Sequence, residues 1–145
     1  MKTPELLAAE AECRALVLRA VEAVDSGDAM GFSALFLPDG VLVRPDGSVL
    51  HGPGEIGRAY AARDPDRQTQ HLICNHVVEL DEVAGSALSR CKVLLWSTQR
   101  SAPLTPLGRR ANAMAQVGEF LDVMQNTPDG WRIRSRKAEF ILYCD

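Results

Sequence analysis

No two cysteines of this chain stand at metal-binding spacing. Cys13, Cys74, Cys91 and Cys144 are widely scattered and form no CxxC pair, which argues against a zinc knuckle. Each lies in an apolar stretch, where a free thiol behaves as a small hydrophobe. All four are therefore expected to be reduced and in or near the core. There are only three histidines, and strand alternation puts His71 and His76 on opposite faces. No second histidine then joins His71, so no metal and no other cofactor is expected. A formal net charge of -3 supplies no basic footprint for nucleic acid. The one dense cationic stretch, Arg132, Arg134, Arg136 and Lys137, alternates like the polar face of a strand. Apolar runs are too short to cross a bilayer, and no charged-then-apolar leader opens the chain. A cytoplasmic address is the default expectation.

What is present is ordinary for a globular protein: 46% hydrophobic and 24% charged residues. A chain of 145 residues suits a single domain with one core, spanning 1–145. Thr3 and Pro4 form a helix start, with Thr3 as cap and Pro4 at the first helical position. Behind them Cys13, Val17, Ala20 and Val24 recur at helical steps. Gly27 ends this helix, and Asp28 caps a short second one with Phe32, Leu35 and Phe36 inward. A hairpin follows, 41–44 and 48–50 around Pro45-Asp46-Gly47. A third short helix covers about 55–62.

From residue 70 the pattern alternates. Residues 70–80, 86–98, 111–125 and 131–143 read as four long strands, and tight turns at 81–85 and 126–130 imply antiparallel pairing. Residues 101–110, with Pro103, Pro106 and Gly108, read as a rim loop. Helices first and a meander afterwards predict an α+β fold, with three N-terminal helices packed on one face of a curved antiparallel sheet.

Local strings then line up with a known family. Asp25-Ser26-Gly27-Asp28 with Leu35-Phe36-Leu37-Pro38-Asp39-Gly40 resembles its helix-one end and following turn. Leu50-His51-Gly52-Pro53-Gly54-Glu55-Ile56 resembles the lead-in to helix three. Gln70-His71-Leu72-Ile73-Cys74-Asn75-His76-Val77 is similar to its "R-H-x-x-x-N-x-x-V" strand. Gly118-Glu119-Phe120-Leu121-Asp122, then Asp129-Gly130-Trp131-Arg132-Ile133 and Arg136, resembles the closing strands. The order of these strings over nearly the whole chain carries the resemblance, which is to the SnoaL-like (nuclear-transport-factor-two-like) superfamily. It implies a cone-shaped α+β barrel around one pocket. The superfamily includes polyketide cyclases, scytalone dehydratase, a dehydrochlorinase, ketosteroid isomerase and the β-subunits of ring-hydroxylating dioxygenases. Fold alone does not choose among them.

The resemblance marks His71 and Asp25 as candidate catalytic residues. A carboxylate in the last turn of a helix faces the negative end of its dipole. Capping explains Asp28 and leaves Asp25 without a task. In dehydratase-like relatives the matching aspartate orients a histidine base, the place of His71. Imidazole, with a pKa of about 6.5, accepts a proton near neutrality and is held in one tautomer by a carboxylate. A buried structural histidine held by Asp25 is the competing reading. Candidate substrate-binding residues are Asp122, Asn75, Trp96, Tyr60 and Phe120. Asp122 shares a face with Met114, Gln116, Gly118, Phe120 and Met124, or is a surface acid paired with an arginine of the last strand. Asn75 offers an amide to substrate or a strand hydrogen bond. Trp96 and Tyr60 line the pocket or belong to the core. His76 is expected at the surface, His51 in a turn, and Arg136 on a solvated strand face or near the pocket.

The chain also departs from its models. Trp96 falls at the place of a second histidine in scytalone dehydratase, and Val24 replaces a tyrosine. Ala20 stands where the dehydrochlorinase has a lysine. The resulting expectation is a cofactor-independent lyase or isomerase that abstracts a proton from a hydrophobic cyclic or polyketide-like substrate. The alternatives are a non-catalytic partner of the dioxygenase β-subunit kind and a ligand-binding module. A homodimer is expected through an apolar outer sheet face carrying Leu72, Cys74, Val78 and Leu80.

Overall fold

A computed structural model describes residues 1–145. Helix α1 (Pro4–Ser26) starts where Thr3 Oγ1 accepts from the Leu6 N–H, with Pro4 in the first turn. It ends at Gly27, whose left-handed φ of 78° lets its N–H return to the last carbonyls. Cys13, Leu16, Val17 and Ala20 form its fully buried stripe. Asp28 accepts from the Gly31 N–H at 2.8 Å and caps helix α2 (Ala29–Ser33). Phe32 from α2 is buried edge-on against Phe36, ring centres 5.3 Å apart.

The second helix is shorter than the sequence pattern suggests. Phe36 already opens strand β1 (Phe36–Val43), which pairs with β2 (Val49–His51) before helix α3 (Gly52–Ala61). The four long strands are β3 (Arg67–Asp81), β4 (Ser86–Gln99), β5 (Ala115–Thr127) and β6 (Gly130–Cys144). One sheet results, in the order β2-β1-β6-β5-β4-β3. Consecutive long strands pair antiparallel, β3–β4 and β5–β6 across tight turns and β4–β5 across the longer link of residues 100–114. The expectation of a wholly antiparallel sheet needs correction, because β1 lies parallel to β6. These two strands are joined through the whole meander, so no hairpin dictates their direction. The curved sheet is not closed; β2 and β3 are its two edges.

The inner face of the sheet meets α1. Ala87, Cys91 and Val93 of β4, Met124 of β5, and Trp131 and Ile133 of β6 are buried there with Leu42 and Ile56. Fully burying each large apolar side chain stabilises the fold by about 1.5–3 kcal/mol. Cys13 and Cys91 belong to this core, and burial pushes both thiols up to about 11. Cys74 is half-buried and Cys144 exposed, so the expectation of four core thiols fails at the end of β6. No helix is long and apolar enough to cross a membrane.

One irregularity in β3 changes what its residues face. Cys74 pairs with Lys92, but Val77 pairs with Arg90, so Asn75 and His76 together oppose Cys91. This is a β-bulge, and Asn75 takes the left-handed φ of 48° that it needs. Asparagine tolerates that region better than other side chains with a Cβ. The alternation flips beyond it. Val78 is buried in the core and Leu80 packs against it, so both leave the outer face to which simple alternation assigns them.

Candidate active site

Helices α1, α2 and α3 and the inner face of the sheet leave a cavity of about 290 Å³. Phe32, Leu42, Val93, Leu95 and Phe120 give it apolar walls, and His71 and Tyr60 enter from β3 and α3. Gly118 forms part of the β5 wall; a Cβ there would stand 3.0 Å from the Glu139 carbonyl oxygen. Val24 also lines the cavity, whereas Ala20 is fully buried in the core.

Asp25 and His71 meet at the edge of this space. The Asp25 carboxylate accepts from Thr69 Oγ1 at 2.7 Å and from the His71 backbone N–H at 2.9 Å. Its Oδ1 lies 2.5 Å from His71 Nδ1. No basic residue occupies the last turn of α1 to offset the helix dipole there. Burial alone would push the Asp25 carboxyl up. The hydrogen bonds from the His71 ring, the His71 N–H and Thr69 outweigh it and hold the group below the usual carboxylate range. An ionised acceptor at Nδ1 selects the tautomer with its proton on Nδ1 and leaves Nε2 a bare lone pair. No protein group bonds Nε2, and no buried side-chain nitrogen or oxygen lacks a partner. Nε2 is therefore accessible, on a residue that lines the cavity.

Phe120 stands beside the dyad, its ring centre 6.5 Å from that of His71. Arg136 packs over the same ring, with the guanidinium carbon 4.1 Å from the ring centre. Arg136 donates two hydrogen bonds of 2.8 Å to Asp122, and both residues are buried. Burial pulls the guanidinium down, but the Asp122 charge and hydrogen bonds hold it above its ordinary value. Asp122 thus lies behind Arg136 and does not line the cavity. Its partner is the arginine expected on the last strand, but the pair is sealed rather than at the surface. Tyr60 packs against Phe32 at 4.6 Å between ring centres, and burial pushes its phenol up. It stays a hydroxyl donor near neutrality.

Two other candidates fall elsewhere. Trp96 points outward from β4, opposite Gln70, and is 45% exposed. The inward places on that strand go to Leu95 and Val93, so Trp96 does not stand in for a pocket histidine. Asn75 is exposed and serves the bulge. The bulge also brings His76 inward, where its Nε2 lies 2.8 Å from Ser89 Oγ. The premise that His71 and His76 face opposite ways is therefore wrong. Even so, no three His, Cys, Asp or Glu side chains converge as metal ligands. His51 caps α3 without a side-chain bond.

Sequence reasoning missed Arg44, Arg63 and Arg67, which reach the cavity from the β1–β2 turn, the segment between α3 and β3, and the first position of β3. The breaker at Arg63-Asp64-Pro65-Asp66 was the only signal on that segment, and it speaks of a turn.

The profile of the SnoaL-like domain matches residues 5–137. The chain belongs to the SnoaL-like family. Among solved structures, this SnoaL-like fold is similar to a Streptomyces avermitilis protein of the NTF2-like family named as a candidate dehydratase. That likeness has 23% identity and a TM-score of 0.77, over 97% of this chain and 99% of that one. A Novosphingobium aromaticivorans protein named as a candidate scytalone dehydratase gives 14% identity and a TM-score of 0.79, covering 96% and 88%. An NTF2-like protein with a cystatin-like fold from the same organism gives 20% identity and 0.72, covering 94% and 84%. At these identities the likeness is one of fold. Among curated proteins none matches the chain by sequence.

Proposed function

We propose that the protein is a cofactor-independent lyase or isomerase of the dehydratase kind, acting on a small, largely apolar cyclic molecule. His71 Nε2 removes a proton next to a carbonyl or leaving group, and Asp25 fixes the ring and stabilises the imidazolium that forms. Tyr60 offers its hydroxyl to an oxygen of the substrate. The observation that carries this reading is a cavity-lining His71 whose Nδ1 is held by a carboxylate and whose Nε2 is accessible and unbonded. A histidine kept only for structure has no need of that open face. This favours catalysis over a non-catalytic partner subunit. The likeness to two structures named as candidate dehydratases adds support.

The test is proton exchange in D2O on a panel of bicyclic β-hydroxyketones, followed by NMR for the α-proton and by absorbance for the enone. The wild type is expected to accelerate exchange or loss of water on at least one member. His71→Gln is expected to abolish that acceleration; exchange that proceeds equally in the variant refutes the reading.

A homodimer through the outer sheet face belongs to the same proposal, on a corrected surface. Leu72, Leu94, Val117 and Leu142 stand in one register row across β3, β4, β5 and β6. Leu72, Leu94 and Leu142 are exposed, an apolar set that association would cover. Leu94→Lys is expected to convert a dimer to a monomer in light scattering. A wild-type monomer at micromolar concentration would sink this part.

A further inference from the structure

Two arginines at the cavity lack a carboxylate to neutralise them. Arg63 lines it from the segment between α3 and β3 and Arg67 from the start of β3, and neither has an acidic group within ion-pair distance. Arg63 is half-buried, its guanidinium carbon 5.3 Å from the Tyr60 ring centre, which fixes it over the phenol. Burial first, then the charge of Arg67, pull Arg63 below its ordinary value, with Arg44 adding to this and Tyr60 and Asp25 opposing it without reversing it. Arg44 is partly spoken for: its Nε donates to Ser48 Oγ at 2.8 Å, and that hydroxyl donates to Asp46. Arg136, which also lines the cavity, is neutralised by Asp122 through Nε and Nη2. The acids on the lining do not restore balance. Asp46 is tied to Ser48, and Glu139 lies 3.5 Å from Lys137. Asp25 is committed to Thr69 and His71.

Holding the half-buried, unpaired Arg63 guanidinium near a second cation costs free energy, through its own desolvation and the mutual repulsion. An anionic oxygen group between them would repay that cost, and a guanidinium fork matches a carboxylate or phosphate in two parallel hydrogen bonds. We propose that the substrate of this cavity carries such a group, seated between Arg63 and Arg67, with its ring against Phe120 beside His71. This rests on the proton-transfer reading for what happens to the ring, but the seat itself is a binding property. Arg63 and Arg67 then act as specificity determinants: they choose an acidic substrate over its neutral analogue and set which end enters first. Placed at one end of an apolar space, they also align the carbon acid with Nε2.

The test is calorimetric binding of 2-naphthoate, 2-naphthyl phosphate and the neutral 2-naphthamide at fixed ionic strength. At least one anion is expected to bind the wild type about tenfold or more tightly than the amide, and which one distinguishes a carboxylate seat from a phosphate seat. Arg67→Gln and the Arg63→Gln/Arg67→Gln double variant should lose that preference while amide binding stays. Arg67 is exposed, so the single variant guards against a folding defect at Arg63. Equal binding of acid and amide, an unchanged preference in the variants, or no anion binding up to about 1 mM overturns the proposal. His71→Gln separates the two readings. Anion preference kept while His71 proves irrelevant to exchange sinks only the catalytic reading; catalysis kept without anion preference sinks only this one.

Discussion

The cone holds two carboxylate–nitrogen pairs of similar length and opposite character. Asp25–His71 sits at the cavity edge, each side chain 14–16% exposed, with one ring nitrogen left open. Asp122–Arg136 is sealed, 0–3% exposed, with both carboxylate oxygens engaged and an aromatic ring over the guanidinium. One pair joins α1 to the edge strand β3; the other joins neighbours β5 and β6 at facing positions. Proximity of acid and base does not by itself mark a reactive site. What separates them is a group able to change its protonation state, together with space for a reacting atom next to it. Guanidinium stays charged at any working pH, whereas imidazole does not.

The sharpest way to break this contrast is to exchange the consequences. His71→Gln should lower the proposed proton-exchange rate by about 10²–10⁴-fold and move the urea midpoint less than Asp122→Ala does. Asp122→Ala should do the reverse. It strands a buried guanidinium, and removing one partner of such a pair costs about 3–5 kcal/mol, read as a shift in the urea midpoint. If Asp122→Ala folds as stably as the wild type but is inactive, the division of roles drawn here is wrong.

Asp25→Asn is the intermediate case, because Asp25 both orients the base and ties α1 to β3. Replacing the ionised acceptor should cost about 1.5–3 kcal/mol near neutrality, together with activity. The folded Asp25 carboxyl lies below the ordinary carboxylate range, so the unfolded chain takes up the proton first as pH falls. The stabilisation is therefore complete above the ordinary value of about 3.9 and is lost as pH drops through the folded one. Thermal melts of the two proteins should differ clearly at pH 6 and converge towards pH 3. A gap that stays constant over this range would mean that Asp25 contributes through packing rather than charge.

Much of the frame was legible because local chemistry and periodicity agree. Thr3, Pro4, Gly27 and Asp28 bound their helices by rules that need no tertiary context, and the tight turns imposed antiparallel neighbours. Asp25 stood out as the acid that capping leaves unexplained. Trp96 and the outer-face residues were misplaced for different reasons. Trp96 was assigned by analogy to a place on the strand, while alternation itself gives the inward positions to its neighbours. Val78 and Leu80 were misassigned because alternation holds only until a bulge, and the bulge depends on one asparagine adopting a positive φ. Arg63 and Arg67 escaped notice because a cation in or beside a breaker reads as solvated surface, and only the folded chain brings both to the cavity.

The bulge also leaves the smallest and most specific signature, at His76. Its ring lies inward with Nε2 near Ser89 of β4, and it senses Arg14 of α1, Asp122 of β5 and Arg136 of β6. Burial first, then Arg14, holds its pKa below the ordinary histidine value; Asp122 opposes this without reversing it. A folded pKa below the unfolded one means that the unfolded chain binds the proton first as pH falls. Stability is then full above about pH 6.5 and declines as pH drops through the folded value. The slope should be well under about 1.4 kcal/mol per pH unit, the limit for one proton, because the ring is not sealed from solvent. His76→Gln keeps a polar side chain near Ser89 and removes the titration. Urea unfolding at pH 7 and pH 5.5 should show a wild-type loss that this variant lacks, while His51→Gln, in an exposed position, should retain it. Identical losses in wild type and His76→Gln would place this ring on the outer face after all, and with it the original alternation of β3.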